Sequence, residues 1–300
     1  MRVARDVSEL EQIPRAVAIG TFDGVHLGHR RVIETAIAAG GTPTVLTFDP
    51  HPRRVLGYAV EQLATLERRL ELFAELGVEE TLVVEFTLDT QRIEAEDFAD
   101  RYLRAIGAEV VAAGEDFRFG HRRSGDLALL AELGFGVRPV PLLEGVSSSD
   151  IRHLLHGGDV VAAARLLGRP AEVEGIVVEG DARGGTLGFP TANVAADPTL
   201  LVPLHGIYAG FAGGPRIRGH RAAISVGVNP HYGGDELRIE AFLLGFAGDL
   251  YGKRLVVELW ERLRDEQVFT SEQALVDQIA RDVESTERAQ RPSGSDPLGV

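Results

Sequence analysis

From Ala16 to about residue 168 the chain alternates short apolar runs, rich in β-branched residues, with helical patterns. No other feature restricts the fold as much. The runs "AVAIGTF", "TPTVLTF", "TLVVEF", "EVVAAG" and "GVRPVPL" read as strands buried on both faces. Between them, "TLERRLELFAELG" repeats Leu66, Leu70, Phe73 and Leu76 at steps of three and four, and Gly77 closes the helix. "EAEDFADRYLRAIG" does the same with Phe98, Tyr102, Leu103 and Ile106. Such alternation predicts a parallel sheet covered by helices on both faces. Ligands of these sheets bind beyond the carboxyl ends of the strands. "TFDGVHLGH", "TFDPHP", "GEDFRFG" and "GVSSSDIR" all follow strands, so they are expected to converge on one crevice.

After "ARLLGRP" the pattern changes. From Glu172 to Leu263 come the strand candidates "VEGIVVEG", "GIYAGF", "HRAAISVGV", "LRIEAFLLGF" and "KRLVVELWERL", with glycine-rich turns and almost no helix. That spacing predicts an antiparallel barrel. A helix follows, with Thr270 and Gln273 placed as a capping box ahead of Leu275, Val276 and Ile279. The tail "RPSGSDPLGV" has the composition of a disordered segment. The boundary is expected near Arg169–Pro170, giving domains at 1–169 and 170–288 and a disordered tail at 289–300.

Composition excludes several functions. With 31 basic against 45 acidic residues the net charge is −14, which argues against duplex nucleic acid as a partner, since that affinity rests on cations meeting phosphates. No apolar run approaches the roughly 20 residues of a membrane helix, so no membrane partner is expected. The first residues, "MRVARDVSELEQIP", lack the apolar core of a signal peptide. Cysteine is absent, which removes disulfides and thiolate chemistry and fits a cytoplasmic location. Oligomeric state is left open. The partners expected are small molecules.

In "GTFDGVHLGH" a strand gives way to a helix predicted to begin at Leu27 or Gly28. Free N–H groups and partial positive charge at a helix start favour anions. Gly24 and Gly28 would let a phosphate approach the backbone, and His26 and His29 would donate to its oxygens. Two other readings use the same imidazoles: a metal site, for which Asp23 and His51 are further candidate ligands, and an ordinary surface pair. A second glycine-rich stretch, "GDARGGTLGFPTAN", lacks the GK[ST] of a Walker loop. By itself it reads as a set of turns. In the strand "LRIEAFLLGF", Ile239, Ala241 and Leu243 share one face and Glu240 and Phe242 the other. A lone glutamate there is, by itself, most simply solvent-facing.

The longer pattern is more specific. "GTFDGVHLGH", "TFDPHPRR", "LERRLELFAELGV", "GEDFRFGHRRSGD" and "VSSSDIRHLLHGGDVVAAARLLGRP", then "GFPTAN" and "DLYG", resemble the bacterial bifunctional riboflavin kinase/FMN adenylyltransferase family, in the family's order, from about Ala16 to Val283. The resemblance implies a Rossmann-like α/β nucleotidyltransferase domain followed by a Greek-key β-barrel kinase domain with a terminal helix. It implies two reactions: riboflavin and ATP give FMN in the second half, and FMN and ATP give FAD and pyrophosphate in the first. ATP phosphates would meet Gly20, Phe22, Gly24, His26, Gly28 and His29, with Ser148, Ser149 and Arg152 closing over them. Asp116 and Phe119 match positions lining the nucleotide and flavin sites, although core packing is an equally natural use of Phe119. In the second half, Gly180, Arg183, Gly188 and Thr191 would hold ATP, and Thr191 and Asn193 would hold Mg2+. Glu240 would be the base.

The chain departs from the family's pattern at Ser149 (usually Thr), Gly185 (often basic), and His231 and Tyr232 (usually Thr and Phe). Two rivals remain. An adenylyltransferase with another acceptor, such as a phosphopantetheine or nicotinate nucleotide, would need no attached alcohol kinase. A binding-only regulator would be expected to have lost its reactive residues, and this chain retains them.

Overall fold

The computed structural model describes residues 1–180, 188–215, 217–228 and 237–292. Arg183, Gly185, His231 and Tyr232 lie outside the described residues. The chain divides into two compact units, Met1–Ser147 and Ser148–Val300.

The first unit contains strands β1 (Arg2–Ala4), β2 (Arg15–Ile19), β3 (Thr42–Asp49), β4 (Glu80–Glu85), β5 (Ala108–Gly114) and β6 (Gly136–Val140). Its helices are α1 (Leu27–Ala38), α2 (Pro52–Val55), α3 (Leu66–Glu75), α4 (Ala95–Phe98), which runs on through a π-helical turn at Ala99–Arg104, and α5 (Leu127–Glu132). The strands form one parallel sheet in the order β1-β4-β3-β2-β5-β6. Strand alternation divides the core into two layers. Ala16, Ala18 and Val45 pack with Val32 and Ile33 of α1 and Phe73 of α3 on one face. Val17, Ile19, Leu46 and Leu82 pack with Phe98, Leu103, Phe119 and Leu130 on the other. The chain runs outward from β2 through β3 to β4, then returns to place β5 on the opposite side of β2. The carboxyl ends of β2 and β5 therefore flank the switch point of the sheet, the place where such sheets bind their ligands.

The second unit begins with α6 (Ser148–His156) and α7 (Val160–Leu167). The side chain of Asp159 caps α7 by accepting from the Ala162 N–H at 2.9 Å, and Gly168 closes it at φ 71°. The strands β7 (Ala171–Val178), β8 (Ala192–Ala196), β9 (Gly206–Gly214), β10 (Ile217–Val228), β11 (Leu237–Leu243) and β12 (Arg254–Arg264) follow. They close into an antiparallel barrel in the order β10-β11-β8-β7-β12-β9. Closure leaves no unpaired sheet edge. The helix α8 (Glu272–Arg288) packs on β9 and β10.

The helices α6 and α7 group with the barrel, since α7 packs against β7 and β12 and α6 packs on α7. Several expectations shift by small amounts. The cap of α8 is Ser271, whose hydroxyl accepts from the Ala274 N–H at 3.2 Å, not Thr270 with Gln273. Order also continues past residue 288. Ala289 is buried with Ala209 and Trp260, and Arg291 pairs with Glu258 at 2.7 Å. Residues 293–300 lie outside the described residues.

Arg264 of β12 and Asp282 of α8 form a two-pronged ion pair at 3.0 and 2.7 Å, with Asp282 also accepting from Gln278 at 2.9 Å. Both side chains are largely buried. Removing one partner leaves a buried charge uncompensated, at a cost of about 3–5 kcal/mol. Asp282→Ala is therefore expected to lower the melting temperature of the barrel unit, measured by circular dichroism, while Asp277→Ala, an exposed neighbour on the same helix, leaves it within about a degree.

Candidate functional sites, one in each unit

In the first unit the β2–α1 loop is tightly constrained. Phe22, Gly24 and Val25 all take positive φ, at 54°, 80° and 42°. Each non-glycine residue so held costs about 1–3 kcal/mol and persists only where its surroundings over-determine it. Here the surroundings are core packing, since Phe22 and Val25 are both buried. Phe22 meets the rings of Phe73 and His29 edge-on, at 5.7 and 5.4 Å. Gly24 has no room for a side chain, because a Cβ would sit 2.8 Å from Leu63. Asp23, buried beside it, accepts from the Leu63 N–H at 2.8 Å.

The loop delivers two histidines to the first turn of α1, which starts at Leu27 as expected. His26 is the N-cap, and its Nδ1 accepts from the His29 N–H at 3.3 Å. That bond requires Nδ1 to be the unprotonated nitrogen, which leaves Nε2–H as a donor. The two imidazoles stack with centroids 3.6 Å apart. Gly20, Phe22, Gly24, His26, Gly28 and His29 are thus assembled on one loop and one helix start. Among the described residues, no group of three or more His, Cys, Asp and Glu is arranged to hold a metal ion.

Asp116 and Phe119 follow β5, on the other side of the switch point. Asp116 is exposed. Phe119 is buried against Phe98 and Phe117, with both ring centroids 5.6 Å away. Its backbone exchanges hydrogen bonds with Gly125, both at 3.0 Å, and so pins the base of the loop between them. Ser148, Ser149 and Arg152 lie in the first turns of α6, within the second unit.

In the second unit, "GFPTAN" leads into β8, whose first two residues are its Ala192 and Asn193, a strand that the periodicity did not reveal. Its Asn193 is the register partner of Glu240 on β11 and of Val178 on β7. The Thr191 hydroxyl donates to the Glu240 carboxylate at 3.3 Å. Asn193 lies over the bare backbone of Gly180, where a Cβ would come within 2.1 Å of its amide nitrogen. Gly180→Ala is therefore expected to displace Asn193 and cut the kinase rate by about tenfold or more, leaving FAD formation from FMN unchanged in a chromatographic assay. Gly188, exposed at φ 86°, lies just ahead of these residues. Thr191, Asn193, Glu240 and Gly180 are thereby brought together.

Alternation on β11 follows the expected pattern. Ile239, Ala241 and Leu243 are buried in the barrel, while Glu240 and Phe242 line a cavity of about 320 Å³ with Thr191, Phe189, Glu266 and Phe269. Phe189 and Phe242 meet edge-on at 5.4 Å. A space of this size with aromatic walls and a few convergent polar groups suits a small planar ligand. Sequence reasoning missed Phe189, Glu266, Phe269 and the Arg264–Asp282 pair on its wall. These come from segments far apart in the chain and share no local motif.

The two arrangements define a class: a nucleotidyltransferase-type α/β unit joined to a barrel kinase, with a histidine-bearing helix start in one and a carboxylate-bearing cavity in the other. The comparisons agree. Residues 8–149 match the family model for FAD synthetase, and residues 167–290 match that for riboflavin kinase. The bifunctional riboflavin kinase/FMN adenylyltransferase of Listeria monocytogenes is 35% identical over 93% of each chain. That of Escherichia coli K12 is 35% identical over 94% of this chain and 96% of its own. A crystal structure from Streptococcus pneumoniae, described as a macrolide-efflux protein, superposes with a TM-score of 0.85 at 30% identity, over 96% of this chain and 99% of its own. Among the described residues of this chain, no helix is long and apolar enough to cross a membrane. The chain belongs to the bifunctional riboflavin kinase/FMN adenylyltransferase family. It phosphorylates riboflavin with its C-terminal domain and adenylylates FMN with its N-terminal one.

Proposed function

We propose that the two reactions use separate residue sets with opposite chemical requirements. Riboflavin presents an alcohol, a poor nucleophile until its proton leaves. Glu240 takes that proton as the ribityl oxygen attacks the terminal phosphorus of ATP; the new O–P bond forms, the bond to ADP breaks, and FMN results. The flavin ring occupies the aromatic cavity beside Glu240. The observation that carries this reading is the Thr191–Glu240 hydrogen bond in the lining of that cavity.

Thr191 and Asn193 fit a magnesium ion. Both offer neutral oxygens beside the Glu240 carboxylate, and the close approach of Asn193 to Gly180 leaves its amide fixed in place. Such donors, completed by phosphate oxygens, suit a hard cation. When bound with ATP, the ion would supply neutralisation of the phosphate charge. Gly180, Arg183 and Gly188 belong to the glycine-rich stretch of sequence that we assign to the ATP phosphates.

FMN brings a phosphate already ionised, so its attack on the first phosphorus of ATP needs no base. His26, His29 and the first N–H groups of α1 hold the phosphates and stabilise the departing pyrophosphate. Gly20, Phe22, Gly24 and Gly28 shape that cradle. We assign Ser148, Ser149 and Arg152 to the triphosphate and Asp116 to the flavin nucleotide; Phe119 supports the Asp116 loop from within the core. With no cysteine to need an oxidising compartment, we assign the work to the cytoplasm.

The test is incubation with riboflavin and ATP, with magnesium or with excess chelator, followed by separation of flavins. FMN and then FAD are expected with magnesium, and a loss of about a hundredfold or more in FMN formation with chelator. FMN formed equally fast in chelator would contradict the assignment of Thr191 and Asn193.

A further inference from the structure

The first unit buries two arginines at opposite ends of its sheet. Arg15, at the amino end of β2, pairs with Glu80 at the amino end of β4 at 2.7 Å. Arg69 projects from α3 to the other end, where ligands bind. Only 1% of its side chain is exposed, so it cannot itself reach a phosphate in the crevice. Its guanidinium donates to the Thr21 carbonyl at 2.7 Å, to the Thr47 hydroxyl at 3.2 Å and to the Phe48 carbonyl at 3.4 Å. Thr47 in turn donates to the Thr21 carbonyl at 3.1 Å, and Asp49 lies 3.6 Å from the guanidinium. Thr21 opens the loop that carries His26 and His29, and Phe48 and Asp49 open "TFDPHP".

We infer that Arg69 is a positioning residue for adenylyl transfer, fixing the strand ends from which the two nucleotide loops depart. Five fixed donors in a planar fork let one arginine span two backbone carbonyls and a hydroxyl. Burial works against its charge, and the Asp23 and Asp49 carboxylates offset that. The strained β2–α1 loop is thus held from both sides, by core packing of Phe22 and Val25 and by Arg69 at its root. A displacement of the reacting groups by about 1 Å lowers a rate by about a hundredfold, so loosening this root is expected to show in turnover. The inference rests on the assignment of ATP phosphates to the loop after β2.

The experiment compares Arg69→Met, Arg69→Lys, Thr47→Val, Arg15→Met and His29→Ala in the full chain. It measures FAD formation from FMN at saturating substrates, riboflavin phosphorylation, and thermal unfolding. The expectation for Arg69→Met is a fall in kcat of about 10–100-fold with the KM for ATP changed less than about threefold. Arg69→Lys should recover only part of that loss, since an ammonium keeps the charge but lacks the planar fork that spans both carbonyls and the hydroxyl. Thr47→Val, which keeps the guanidinium, should lose about 3–10-fold and serves if Arg69→Met does not fold. Arg15→Met should lower thermal stability while keeping kcat per folded chain within about twofold. Full kcat in folded Arg69→Met or Thr47→Val, or equal losses for Arg15→Met and Arg69→Met, would overturn the inference. If His29→Ala also keeps full activity, the assignment of the loop itself fails; if His29→Ala loses activity while Arg69→Met does not, the failure belongs to the Arg69 inference alone.

Discussion

Glu240→Ala is expected to cut riboflavin phosphorylation by about a thousandfold, while the same purified chain converts FMN to FAD within about twofold of the parent rate. A positioned general base contributes about 10²–10⁴ to a rate, and an alcohol nucleophile depends on it throughout that range. Glu240→Gln separates this role from a structural one. The amide keeps the shape, the register against Asn193 and an oxygen that can accept from Thr191, but it cannot hold the ribityl proton. Both variants are expected to lose the kinase to a similar extent with little change in riboflavin KM, followed by initial rates of FMN appearance. Kinase activity above about a tenth of the parent in Glu240→Gln would mean that the carboxylate only supports the fold of the cavity.

His29→Ala is expected to do the reverse, lowering FAD formation by about 10²–10³ and sparing the kinase. That is the usual cost of deleting one donor aimed at charge developing in a transition state. The local fold should survive, because the N–H that caps onto His26 belongs to the backbone of residue 29 and remains after substitution. What is lost is the imidazole stacked on His26 and the donor it carries. Rates of FAD formation and of FMN formation, read from the same preparation, check the split. Loss of both activities in a folded chain would contradict the separation of the sites.

Much of this was legible in the sequence because the physics is local. Strands buried on both faces leave continuous apolar runs, and β2 to β5 lie within such runs to within one residue, whereas β6, also found by its run, is an edge strand with Arg138 and Pro139 exposed. The histidine pair stood out because a strand ends and a helix begins there, and the Glu240 face followed from alternation on β11. Elements whose signal is not local escaped. β8 is five residues long and follows a glycine-rich stretch of sequence, so tertiary pairing with β7 and β11 decides it rather than pattern. Arg69 looks like the solvent face of α3, yet it lies three positions from Leu72 and is buried with it and Phe73. The cap of α8 slipped by one residue because Thr270 and Ser271 both offer a hydroxyl, and the choice depends on where the chain leaves β12. Nothing in "SSSDIRHLLH" says which unit its helix joins, because that is decided by its packing on α7.

The claim that one chain houses two separable chemistries is tested most directly by mixing Glu240→Ala with His29→Ala and supplying riboflavin, ATP and magnesium. Each variant alone is expected to make FAD from riboflavin about a hundredfold or more slower than the parent, the first for want of FMN and the second for want of adenylyl transfer. Together they should produce FAD after a lag during which FMN accumulates in solution. A mixture of folded variants that makes FAD no faster than either alone would contradict the account.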